Sequence, residues 1–250
     1  MPNDQPKSDE REMGFLDHLE ELRRRILIAV LSVLFVSIAA AFFSDFLVKE
    51  LLLGPLLAVG LKAQVLTPYG IMLTYMQVVL VMGIIGAMPI ILYQFWKFVA
   101  PGLLPNERKY ASGIVFFTSL CFLSGIAFAY FILVPTALKF FSTFGTDVFV
   151  LNIAINEYIS FMLSLILGAG LVFELPMITY FLTKIGIVNP GMMRKYRRHS
   201  IVAILIISAV VTPTPDIMTQ TLLAAPMILL YEISIFISKF AQKKPTRPTA

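Results

Sequence analysis

Six apolar runs dominate this sequence, and their lengths leave little choice of fold. A helix needs about 20 consecutive apolar residues to cross the hydrocarbon of a bilayer. The runs fall at Ile26–Phe46, Gly70–Phe98, Tyr110–Leu133, Tyr158–Leu182, Ser200–Thr212 and Asp216–Ser238. The first four are long enough as they stand. The last two must share the 38 residues from Ile201 to Ser238. Two arrangements fit: a re-entrant hairpin, or two short spans of roughly 17 residues that locally thin the bilayer. The turn Thr212-Pro213-Thr214-Pro215-Asp216 is polar and proline-rich, as an interfacial link should be, and two short spans are the expected arrangement.

Composition agrees. Charged residues make up 14% of the chain, against about 25% in a soluble domain. Hydrophobic residues make up 58%, with a mean hydropathy of +0.84. These values exclude a disordered or collagen-like chain. The single cysteine, Cys121, can form neither an internal bridge nor a metal site by itself. Expected, then, is an all-α polytopic membrane protein of one domain.

Charge sets the orientation. With six spans and both termini on one face, seventeen of the 20 Lys and Arg residues share that face. Only Lys49, Lys62 and Lys139 lie opposite. Basic residues of short loops stay in the cytoplasm, which predicts both termini inside. The net charge of +5 therefore reflects membrane topology, and no nucleic-acid partner is expected. The segment before the first span carries seven acids, which argues against a cleavable signal peptide and for a retained first span.

Residues 9–25 read as an amphipathic helix on the cytoplasmic surface that runs into the first span. Phe15, Leu19, Leu22 and Ile26 form one apolar stripe, and Asp17, His18, Glu20, Glu21 and Arg23 fill the rest of its circumference. These charges serve either as a solvated interfacial anchor or as a recognition surface. Glu174 is set within the apolar stretch Leu165–Phe181. A charged, lipid-exposed carboxyl there costs about 2.5–3.5 kcal/mol, so it must face protein or water, or carry a proton. Pro176 removes a hydrogen bond and clashes with the carbonyl of Val172, predicting a kink beside Glu174 with a concave, partly wet pocket. Glu232 lies closer to the interface. Pro89, Pro135 and Pro226 bend other spans, so the bundle is expected to be cupped. Gly83, Gly86, Ala87, Gly168 and Gly170 offer small faces for close helix contact. Residues 243–250 form a polar tail.

The sequence holds no zinc-protease motif, no phosphate-binding loop and no cluster of metal ligands. Histidines 18 and 199 are far apart in sequence, and the spans lack the chain of charges of a proton pump. Neither an enzyme nor a cofactor is expected. A secondary transporter coupled through Glu174 would account for that acid, but would leave the acidic N-terminal helix unused.

Five segments together resemble the TatC family, the multi-spanning core subunits of the twin-arginine protein translocase. They are HLEELRRR at His18–Arg25, ILYQFWKFVAPGL at Ile91–Leu103, NERK at Asn106–Lys109, FELP at Phe173–Pro176 and TPDIMTQTLLAAP at Thr214–Pro226. The resemblance implies six spans with both termini inside, a cupped shape and short last two spans, in the bacterial cytoplasmic (inner) membrane. It implies a receptor for the twin-arginine signal peptides of folded precursors. By motif, Glu21 and Glu107 match the acids credited with reading the arginine pair; Glu20 assists, and Arg23 orients or pairs with Glu21. Carboxylates suit this task because a guanidinium docks on them as a two-pronged fork, which lysine lacks. Glu174, with Pro176, matches the family's intramembrane contact to single-span partner subunits of the TatA/TatB kind. Asp216 and Gln220 match polar positions implicated in transport. Export would draw on the proton-motive force, and self-association and membrane lipid complete the implied partners.

Overall fold

The computed structural model describes residues 15–99, 111–143, 153–212 and 216–241. Helix α1 (Phe15–Phe42) is one uninterrupted rod of 28 residues. At 1.5 Å per residue it is about 42 Å long, more than the ~30 Å of hydrocarbon in a bilayer. The charged stripe is therefore the first turns of the crossing helix itself, not a separate element. The chain then passes through the short helix α2 (Ser44–Phe46), a π-helical turn (Leu47–Leu52) and α3 (Gly54–Ala58). Strand β1 (Ala63–Gln64) follows, and Ala63 pairs in parallel with Ile153 of β2 (Ile153–Ala154).

Helix α4 (Gly70–Val99) carries Pro89 in its interior. The next crossing begins as α5 (Ala111–Phe128), widens into a π-helical turn (Ala129–Leu133) and ends as α6 (Val134–Thr143). Pro135 stands just after the widened turn, where its missing N–H costs the helix least. Helix α7 (Ile155–Val172) gives way at Phe173 and Glu174 to α8 (Leu175–Lys184), with Pro176 at its first turn. Gly186 closes α8 at φ 82°, and Ile187 N–H bonds back to the Leu182 carbonyl at 3.0 Å, a left-handed cap that glycine adopts freely. After α9 (Pro190–Lys195) come α10 (Arg197–Val211) and α11 (Ile217–Ala241).

Among the described residues, five helical segments are long and apolar enough to cross a membrane: His18–Phe42, Gly70–Val99, Gly113–Thr143, Ile155–Lys184 and Ile217–Ala241. Helix α10, at 15 residues, reaches only about 22 Å and is not among them. Helix α11, at 25 residues, is longer than the roughly 17 expected of the last span. The chain is a multi-pass, all-helical membrane protein.

Helix α7 is the hub. Ile159, Met162, Leu165 and Ala169 are all but fully buried, against Val78 of α4, Leu133 and Leu138 of the third crossing, and Leu223 and Met227 of α11. Around it the small residues act as the sequence predicts. A β-carbon on Gly168 would stand 2.2 Å from Val211, and one on Gly170 would stand 2.7 Å from the Phe122 ring. Helix α1 is the opposite case: no residue of its apolar window is buried, and it packs on α4. Its outward Phe35 and Phe42 are 76% and 85% exposed. Such faces are stable in lipid, which is as apolar as they are.

Candidate functional site: a charged cup and a broken helix

The first turns of α1 meet the last turns of α4. His18 stacks on Phe98 with ring centroids 4.4 Å apart. One turn further along, Glu21, Arg24, Arg25 and Ile28 face Gln94 and Lys97 across a cavity of about 160 Å³. The i, i+4 spacing brings Arg25 onto Glu21. Arg25 Nε donates to Glu21 Oε1 at 3.0 Å, and Nη2 donates to the same oxygen. Arg25 Nη1 reaches across to Gln94 Oε1 at 3.4 Å. Both members of the pair are mostly covered, with 13% of the Arg25 side chain and 21% of the Glu21 side chain exposed. The second carboxylate oxygen, Glu21 Oε2, is buried without a hydrogen-bond partner among the described residues.

The partner of Glu21 is thus Arg25, not Arg23 as the sequence suggested. Arg23 and Glu20 are exposed and make no ion pair among the described residues. Three residues separate Glu21 from Arg25, against one from Arg23, and only the longer spacing puts both on one helix face. That signal was present in the sequence. The role of Gln94, 69 positions from Arg25, was not. Glu107 lies outside the described residues.

The second group of predicted residues gathers where the fourth crossing breaks. Pro176 cannot donate to Val172, and the helix opens at Phe173 and Glu174 before restarting. Glu174 is only 5% exposed, and its Oε1 has no hydrogen-bond partner among the described residues. The carboxyl therefore stands inside protein. Close approach of α5 contributes to that burial: a β-carbon on Gly125 would stand 2.6 Å from the Ala169 carbonyl oxygen and 2.9 Å from Phe173.

Asp216 and Gln220 sit apart from both. Asp216 Oδ1 accepts from Thr219 N–H at 2.6 Å, which caps the first turn of α11. Gln220 Nε2 donates to the Leu205 carbonyl at 2.9 Å, tying α11 to α10. Glu232 bonds Arg197 at 2.7 Å across the other end of the same two helices, where both side chains are more than 40% exposed. Among the described residues no group of three or more His, Cys, Asp or Glu could hold a metal.

Comparison with known proteins gives one consistent picture. The family model described as Sec-independent protein translocase protein (TatC) matches residues 17–226. A Sec-independent protein translocase protein TatC from Carboxydothermus hydrogenoformans is 39% identical over 236 residues, covering 94% of this chain and 97% of its own. The TatCy protein of Bacillus subtilis is 38% identical over 245 residues, covering 96% and 94%. A crystal structure of a twin arginine translocase receptor, TatC, superposes with a TM-score of 0.81 at 36% identity, covering 90% of this chain and 99% of that one.

Proposed function

We infer the function of this chain from its family: it belongs to TatC, the Sec-independent protein translocase proteins, and is a membrane-embedded component of that machinery. Its work is transport of proteins rather than catalysis. On this reading it is the receptor subunit, and the cup between α1 and α4 reads the arginine pair of a signal peptide.

The observation that carries the reading is the free, buried oxygen of Glu21 in a cavity at the end of the first crossing. An unpaired buried carboxylate oxygen is costly to maintain, about 1–3 kcal/mol or more for a charged group. A guanidinium entering the cavity satisfies it. Glu107 and Glu20 supply further carboxylate. Lysine offers a single point charge and so makes a poorer match than the planar fork.

The remaining assignments follow from the same role. Six crossings, with α10 as the short fifth, leave both termini in the cytoplasm of a bacterium and the cup at the cytoplasmic face of its inner membrane. Glu174, held at the break made by Pro176, meets a polar residue of a single-span partner subunit, and the partner relieves its unpaired state. Asp216 and Gln220 keep the α10–α11 turn in shape during transport. The apolar part of the signal segment lies along the concave face, copies of the chain associate, and the proton-motive force supplies the energy with no cofactor bound.

The test is binding of a fluorescent peptide with an Arg-Arg pair, against its Lys-Lys twin, to the purified full chain. The expected result is at least a tenfold preference for Arg-Arg, lost in Glu21→Gln and Glu107→Gln. Equal binding of the two peptides, or a preference that survives both substitutions, would overturn the reading.

A further inference from the structure

We propose that Arg25 is an internal competitor for the arginine-binding carboxylate, and that this competition sets the specificity of the cup. The inference rests on the receptor reading given above and adds a residue to it.

Charge bookkeeping in the cup leads to this. Among the described residues its lining holds one carboxylate, Glu21, and three cations, Arg24, Arg25 and Lys97. Another cation arriving there meets net positive charge, and like charges in a half-buried site repel strongly. The resting cup is thus poorly suited to a basic ligand. Yet Glu21 is only half used: Nε and Nη2 of Arg25 both fall on Oε1, while Oε2 stays buried with no partner among the described residues. A guanidinium engaging both oxygens would make the side-by-side fork that Arg25 does not make here.

The exchange follows. A ligand arginine enters the cavity and takes Oε2, then Oε1, and Arg25 swings off the carboxylate. Arg25 already has a second acceptor, Gln94 Oε1 at 3.4 Å on α4, which can retain it. A ligand lysine cannot complete the exchange, because one ammonium does not replace two parallel N–H bonds. Arg25 thereby sets a threshold that a guanidinium passes and an ammonium does not. No covalent step is involved.

The opposing possibility is that Arg25 merely supports Glu21, fixing its rotamer for the ligand. The two differ in sign. The experiment measures affinities of the Arg-Arg and Lys-Lys peptides for the full chain in lipid nanodiscs, for the parent and for Arg25→Gln, Arg25→Lys, Arg24→Gln and Glu21→Gln. Competition predicts that Arg25→Gln tightens Arg-Arg binding about tenfold, a shift of 1.4 kcal/mol, and tightens Lys-Lys binding by more, so that discrimination narrows. Arg25→Lys falls between parent and Arg25→Gln, and provides the readout if Arg25→Gln folds poorly. Arg24→Gln, which removes a charge without freeing Glu21, must have a smaller effect than Arg25→Gln. Glu21-dependent binding that Arg25→Gln weakens or leaves unchanged would overturn the competition while sparing the receptor reading. An equal gain from Arg24→Gln would reduce the effect to net charge and overturn it also. Binding that Glu21→Gln does not alter would sink both together.

Discussion

Ser37 of α1 occupies the space that any side chain on Gly83 of α4 would need: a β-carbon there would stand 1.8 Å from the Ser37 hydroxyl oxygen and 3.0 Å from its Cα. This contact governs the functional cup. Helix α1 buries none of its apolar window and docks through α4, and the link from Arg25 to Gln94 crosses the same interface.

Gly83→Ala should therefore push α1 away and lower stability by about 1–3 kcal/mol, the cost of overpacking. Thermal unfolding of the purified chain should show the loss, and Arg-Arg peptide binding should weaken with it. Adding Ser37→Gly should recover both. A double variant as unstable as Gly83→Ala would mean that the contact is not what sets the helix spacing.

Glu174 gives a prediction of opposite sign for stability and function. Its buried oxygen has no partner among the described residues, so Glu174→Leu, which removes the polar burden at similar size, should raise stability by about 1 kcal/mol. Export of a twin-arginine precursor should fall at the same time, while peptide binding at the cup stays intact. Retained export with a raised unfolding temperature would show that the carboxyl has no role in transport.

For Asp216, capping and charge separate cleanly. Asp216→Ala removes the acceptor for Thr219 N–H and should cost about 0.5–2 kcal/mol in thermal unfolding. Asp216→Asn keeps an acceptor and should unfold like the parent. If Asp216→Asn nonetheless loses export, the negative charge acts in transport and not through the helix.

Glu232 should matter little. Its bond to Arg197 is exposed on both sides, and pairs of that kind contribute about 0–1 kcal/mol. Glu232→Gln should unfold within about 1 kcal/mol of the parent and export normally. A large loss in either measurement would place another function on that acid.

Much of this protein could be read from its sequence because the decisive physics is local. Long apolar runs are a property of neighbouring residues, and the bilayer leaves a helix as their only way to satisfy the backbone. The break before Pro176 and the small faces at Gly83, Gly168 and Gly170 were legible for the same reason: a ring without an N–H, and residues without a side chain, act wherever they are placed. The pairing of Glu21 with Arg25 belongs in this class too, since a helix brings residues four apart together. Reading Arg23 in its place overlooked that rule. The length of α11 was misjudged because the segment was divided evenly between two spans, whereas α10 takes 15 residues and α11 takes 25.

Tertiary structure alone decided the rest. No spacing in the sequence places Gln94 against Arg25, Ser37 against Gly83, or Gln220 against the Leu205 carbonyl. Nor does any local pattern tell which polar groups are left unpaired: one oxygen of Glu21 and one of Glu174 lack partners among the described residues because of what the neighbouring helices do or do not present. The sequence by itself determined that the chain crosses a membrane as helices and which acids it carries. The packing of α1 on α4, and the break between α7 and α8, decided which of those acids were left with an oxygen to offer.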